Sequence, residues 1–129
     1  MDVLLSIKPE FADQILNGSK RFEYRKAAFK YNSETRVLIY ATMPIGKVIG
    51  EFAVGQVLKA SPEELWNDTH HHSGISRERF LSYFKGRSFG VAIGVEKARK
   101  YAEPVELSSL TDGVAPQSFR YIPRTTRYF

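Results

Sequence analysis

Apolar residues fall in short blocks along the chain, and their spacing changes from block to block. Val3–Ile7 (Val-Leu-Leu-Ser-Ile) has the length and composition of a buried strand. Pro9 then opens a helix, where its missing N–H does no harm. Phe11, Ala12, Ile15 and Leu16 share one helical face, and Asn17-Gly18 stops the helix. From Lys20 to Lys26 the spacing switches to two. A strand there puts Lys20, Phe22, Tyr24 and Lys26 on one face and Arg21, Glu23 and Arg25 on the other. The Phe22/Tyr24 face reads as core, with Lys20 and Lys26 at the ends where they escape burial. The other face is ionic, a carboxylate between two guanidinium groups.

Arg36–Ala41 is nearly all apolar, as a central strand would be, and Met43-Pro44-Ile45-Gly46 makes a turn. Lys47–Leu58 is rich in Val, Ile and Phe, and its Gly50 and Gly55 mark bulges or a sharp bend. Ser61-Pro62-Glu63-Glu64 has the spacing of a capping box, and Ser76 caps a second helix with Ile75 and Phe80 placed for a hydrophobic staple. Phe80, Tyr83 and Phe84 read as its core face, and Gly86 ends it. Ser88–Val95 alternates as a strand, and Pro104–Leu107 and Ser118–Ile122 read as short strands. No repeat or linker divides the chain. These elements predict one α+β domain over residues 1–129, a curved sheet or small barrel of about six strands with inserted helices.

At 129 residues, with 43% apolar and 13% aromatic content, the chain can bury a real core. With no cysteine there is neither a disulfide framework nor a thiolate metal site. No apolar run is long enough to span a bilayer, and Asp2 and Lys8 interrupt the only short apolar stretch near the start. The expectation is a soluble, cytoplasmic monomer with no membrane association. Net charge is +5, unevenly spread: Lys20–Lys30 holds five cations against Glu23, and Arg120–Phe129 holds three arginines and no acid. That excess suits nucleic acid, although many soluble proteins carry similar charge for solubility alone.

The segments Leu-Leu-Ser-Ile-Lys-Pro and Asn-Gly-Ser-Lys-Arg-Phe-Glu-Tyr-Arg-Lys resemble the signature of ASCH domains (activating signal cointegrator homology). The family pattern Gly-x-Lys-x-x-Glu-x-Arg is met by Gly18, Lys20, Glu23 and Arg25. Tyr40-Ala41 with Pro44, Val48-Ile49-Gly50, Ser73-Gly74-Ile75, Tyr83-Phe84-Lys85-Gly86 and Pro116-Gln117-Ser118-Phe119 are similar to bacterial stand-alone members. The resemblance covers nearly the whole chain. It implies a PUA-like barrel whose cleft is lined by the signature segment, and a partner that is RNA or another nucleic acid, a modified base included. Some small members of the family deacylate acetylated cytidine with a lysine, a threonine three residues later and a distant glutamate. Here Lys20 matches the lysine, Glu23 stands at the threonine position, and the distant acid falls near His72-Ser73, where there is no carboxylate.

The candidate nucleic-acid contacts are therefore Lys8, Lys20, Glu23, Arg25, Lys26, Tyr40, Ser118 and Arg120. Lys20 and Arg25 would meet phosphate or a carbonyl, and Glu23 would accept from an exocyclic amine. Tyr40 would stack a base or, more simply, serve the core. A surface ion network is the plainer account of Lys20, Glu23 and Arg25. A carboxylate three residues from Lys20 is expected to raise its pKa, which argues against a nucleophilic amine. His70, His71 and His72 are consecutive and diverge, so they fit a solvated helix end, or His72 as a base near the cleft, better than a metal site. No phosphate loop, dinucleotide fingerprint or metalloprotease motif is present, so no cofactor is expected. The leading expectation is RNA binding without catalysis. The alternatives are a small hydrolase of RNA or a modified nucleoside, and a protein-interaction module in transcription or translation.

Overall fold

The computed structural model describes residues 1–124, and the expected strand β1 is Asp2–Ile7, followed by helix α1, Pro9–Asn17. Strands β2 (Phe22–Arg25), β3 (Arg36–Ala41) and β4 (Lys47–Ala60) come next. Helices α2 (Pro62–Thr69) and α3 (Arg77–Tyr83) flank a 3-10 turn at His70–His72. Strand β5 (Gly90–Val105), a second 3-10 turn (Leu107–Ser109) and β6 (Phe119–Ile122) complete the order. The predicted caps are present: Ser61 Oγ accepts from the Glu64 N–H and Ser76 Oγ from the Arg79 N–H. None of the described helices is long and apolar enough to cross a membrane.

The strands form one sheet in the order β2-β5-β4-β3-β1-β6. Among the described residues only β1 and β3 run parallel; the other pairs are antiparallel. This is an α+β fold, as expected. Its long strands β4 and β5 slip register between Val48/Gly50, Glu51/Ala53 and Val54/Val57, and such bulges add twist and bend. The sheet therefore curls into a half-barrel. Its edge strands β2 and β6 do not pair with each other, and side chains bridge them instead.

Both faces of the central strands are covered, which is why Arg36–Ala41 is continuously apolar rather than alternating. Val3, Leu5, Ile7, Val37 and Ile39 point inward with Ala12, Ile15, Phe29 and Phe52. Leu4, Leu38, Tyr40 and Val48 point outward beneath Tyr101, Val105 and Leu107. A third cluster packs Tyr24 and Ala92 against Leu65, Phe80 and Phe84 of the helical insertion.

The structure departs from the pattern in two elements. Residues read as two strands, Ser88–Val95 and Pro104–Leu107, belong mostly to the single long β5. Its middle, Glu96–Lys100, is solvent-exposed on both sides and so carries no apolar alternation. The charged strand is also shorter than Lys20–Lys26: Lys20 and Arg21 lie in the turn before β2.

Candidate functional site

The cleft lies beside the C-terminal end of β1, between the free edge of β2 and the start of β6. It holds about 750 Å³ and is lined by residues from both ends of the sheet, α1 and α3. Its architecture starts with α1. The Lys8 carbonyl accepts from the Phe11 and Ala12 N–H groups, which starts the helix and sets the Phe11 ring at the cleft. At the other end Gly18 takes the left-handed conformation (φ 88°) that closes helices. The chain then doubles back, and the Lys20 N–H donates to the Gln14 carbonyl at 3.1 Å.

That reversal drives the Lys20 side chain inward, where only 2% of it remains exposed. Its Nζ donates to the Ser73 carbonyl at 2.5 Å. It lies 5.0 Å from the centre of the Phe11 ring and 4.9 Å from that of Tyr24, within cation–π range. The Ser73 carbonyl can come this close because the next residue is glycine. Gly74 has φ 65°, and a Cβ there would lie 2.2 Å from Gln14 Oε1 and 2.9 Å from Lys20 Cβ.

Burial lowers the Lys20 pKa from 10.5 to about 8; Glu23 pulls it up and Arg25 pushes it further down. This corrects two expectations. Lys20 does not escape burial at a strand end, because two rings roof the turn it occupies. Nor does Glu23 raise its pKa overall: desolvation outweighs the carboxylate, whose effect Arg25 opposes.

Glu23 and Arg25 form a locked pair. Arg25 Nε and Nη2 both donate to Glu23 Oε2, at 3.0 and 2.6 Å. Nη2 also donates to the Ser6 carbonyl at 2.7 Å, and Nη1 to Ser118 Oγ at 3.2 Å. Ser6 is tied in turn to the β6 end, its N–H donating to the Ser118 carbonyl and its Oγ to the Pro116 carbonyl. Arg25 thus staples the β2 edge to β1 and the approach to β6. Its side chain is only 12% exposed, so most of its donors serve the fold. The second Glu23 oxygen, Oε1, takes no hydrogen bond among the described residues.

Of the predicted contacts, Lys8, Lys20, Glu23, Arg25, Lys26 and Ser118 line the cleft together. Lys20 and Lys26 join Glu23 and Arg25 there because both lie outside β2, where the period of two does not apply. Tyr40 and Arg120 lie elsewhere. Tyr40 is 7% exposed in the outer core cluster, as its apolar run allowed. Arg120 donates to Asp112 and the Val114 carbonyl on the outer face. Of the other C-terminal arginines, Arg124 donates to the Glu34 carbonyl and Arg127 lies outside the described residues.

Among the lining residues that the sequence did not single out as contacts are Phe11, Arg79, Tyr83 and Phe119. Phe11 and Tyr83 sit on apolar helix faces and read as core. Tyr83 is instead 38% exposed at the lip, with Lys26 Nζ 5.0 Å from its ring centre. Burial raises its pKa. Arg79 stacks over Phe11 at 4.9 Å while pairing with Glu10. Phe119 lies in the segment read only as a short strand, between the candidate contacts Ser118 and Arg120.

The three histidines are exposed, and none of them lines the cleft; the His72 carbonyl accepts from the N–H of Arg21, next to Lys20. Among the described residues no group of His, Cys, Asp and Glu is arranged to hold a metal ion.

The ASCH domain model matches residues 5–111, and the signature segment lines the cleft. The chain belongs to the ASCH domain family. The crystal structure of ASCH from Zymomonas mobilis superimposes with a TM-score of 0.88 at 25% identity, covering 95% of this chain and 88% of that one. The ASCH domain-containing ribonuclease of the same organism is 26% identical over 125 residues, 94% of this chain and 84% of the relative. A protein named ATP synthase subunit alpha in Ureaplasma parvum is 32% identical over 121 residues. This chain spans only 15% of that relative, so the ASCH-like part is a small segment of a larger protein.

Proposed function

We propose that this ASCH domain binds RNA in the cleft, with Lys8 and Lys26 facing phosphate at the rim and a base entering among the Phe11, Tyr24 and Phe119 rings. The observation that carries this reading is the composition of one concavity. It combines cations, aromatic rings and a buried carboxylate with one oxygen unused. Rings offer stacking to any unpaired base, cations offer charge to the backbone, and Glu23 Oε1 offers an acceptor to an exocyclic amine. A relative of nearly the same extent is named a ribonuclease, which supports RNA over other polyanions. The test is titration with RNA, DNA and nucleosides over a series of salt concentrations. RNA affinity should fall linearly in log salt. Absence of RNA binding at low salt would overturn the proposal.

A second reading, cleavage of the bound RNA, is favoured by the state of Lys20. With a pKa of about 8, a useful fraction of this amine is neutral near pH 7, as a general base requires. Neutral Nζ would take the 2′-hydroxyl proton, the 2′-oxygen would attack the adjacent phosphorus, and the 5′-oxygen would leave with a proton from a rim ammonium or water. Cleavage should rise with pH up to about 8 and vanish in Lys20→Met and on 2′-O-methyl RNA. The same amine removes the electronic objection to a nucleoside deacylase. Against that chemistry, Glu23 stands where the threonine would be and is tied to Arg25.

A further inference from the structure

An aromatic strip continues out of the cleft, and packing alone does not account for it. Phe119, a lining residue, meets Tyr121 edge-on at 5.6 Å and Phe29 at 5.8 Å, and Phe29 meets Tyr31 edge-on at 6.4 Å. Phe29 is buried and, with Phe119, fills the gap between the two sheet edges. The tyrosines have no such role, being 39% exposed at Tyr121 and 47% at Tyr31. The two segments are nevertheless held in register, because the Lys30 N–H donates to the Tyr121 hydroxyl at 2.7 Å. The exposed Lys30 side chain sits in the sequence directly between Phe29 and Tyr31. Two partly exposed rings fixed beside a cation, on an edge that leads from a basic cleft, match the physical requirements for tracking a single strand: stacking faces with charge between them. An apolar protein partner would be met by less cationic surroundings.

We infer that the ligand is an oligonucleotide rather than a lone nucleoside, and that nucleotides flanking the one in the cleft stack on Tyr121 and Tyr31, with Lys30 against the phosphate between them. The inference rests on the RNA-binding reading of the cleft and adds the path the strand takes on leaving it.

The experiment is a length series. Binding of RNA of one, two, four and six nucleotides is measured at one salt concentration for wild type, Tyr31→Ala and Tyr31→Phe. Tyr31 makes no side-chain hydrogen bond among the described residues, so these variants should fold. Wild-type affinity should climb with length. Tyr31→Ala should lose about ten-fold on the longer chains, as removal of one stacking ring does. It should leave the mononucleotide unchanged, and Tyr31→Phe should keep the wild-type profile. Equal affinity of wild type and Tyr31→Ala at every length would overturn the strip while leaving cleft binding intact. A loss of equal size for mononucleotide and hexamer would overturn it too, as a distortion of the cleft. If wild type binds no RNA of any length, the underlying reading fails and takes the strip with it.

Discussion

Asp2 and Lys20 are both removed from water, near opposite ends of the same β1 region, and the chain treats them in opposite ways. Asp2 is 0% exposed and receives Arg36 on both oxygens, Nη2 at 3.0 Å and Nε at 3.4 Å, with Arg124 at 4.0 Å. Lys20 is 2% exposed, and among the described residues no carboxylate lies within ion-pair distance of its ammonium. A carbonyl, two rings and the more distant field of Glu23 are its compensation among the described residues. One buried charge is neutralised where the outer strands must be joined. The other is left short of a counter-ion where the sheet opens. A charge buried at a cost to stability marks a place where something other than stability is being served.

The largest effect should come from breaking the compensated pair. Asp2→Ala removes the buried carboxylate that faces Arg36 and Arg124 and should cost about 3 kcal/mol, the usual penalty for removing one partner of a buried ion pair. Urea denaturation measures it. Mononucleotide affinity of the folded fraction should be unchanged, since the pair lies outside the cleft lining. A cost under about 1 kcal/mol, the range of exposed pairs, would mean that Asp2 and Lys20 are not different in kind.

Lys20→Met should go the other way. The shift from 10.5 to about 8 corresponds to roughly 3 kcal/mol of charge burial, part of which methionine gives back in lost cation–π contact and in the lost hydrogen bond to the buried Ser73 carbonyl. A net gain of about 1 kcal/mol at pH 7 is expected, together with loss of any cleavage. Destabilisation on that scale would show that the ammonium is well compensated after all.

The pH dependence sharpens this further. The native pKa lies below the unfolded one, so between about pH 8 and 10.5 the unfolded chain binds more protons. Wild-type stability should therefore rise across that window relative to Lys20→Met, and the advantage of the variant should disappear above it. Below about pH 8 the difference should be flat. Denaturant midpoints of the two proteins from pH 6 to pH 11 would show this, and parallel curves throughout would remove the basis for a depressed Lys20.

Lys20 is also where the sequence was least legible. Arg36–Ala41 was readable as a strand because local composition and burial agree there. Gly50 and Gly55 foretold the bends of β4, and Ser61 and Ser76 the starts of two helices, because each of these signals acts on its own neighbours. The cleft beside the signature segment was implied by the family resemblance and not by any local spacing. Lys20 depends instead on Phe11 from the preceding helix and on Ser73 and Gly74 from the far insertion. No local spacing records that two rings close over a turn lysine, so its period-two neighbours placed it at an exposed strand end. Tyr83 and Phe119 escaped notice in the opposite sense. An apolar ring at core spacing reads as core, and only the half-barrel's open edge turns these into cleft walls.

The smallest effect on the fold is expected at the cations water already reaches, and it completes the comparison. Lys8 and Lys26 are exposed at the cleft rim, so replacing both by alanine should leave the denaturation midpoint essentially unmoved. Their proposed role is with phosphate, and each phosphate neutralised on a single strand contributes about 0.7 to the slope of log affinity against log salt. The double variant should therefore lose about 1.4 from that slope. Lys20 should behave differently at pH 9, where most of it is neutral. There Lys20→Met should leave the slope as it was, while Lys8→Ala with Lys26→Ala still flattens it. Equal flattening by Lys20→Met at pH 9 would mean that Lys20 carries its charge there, like any surface lysine, and the contrast with Asp2 would lose its physical ground.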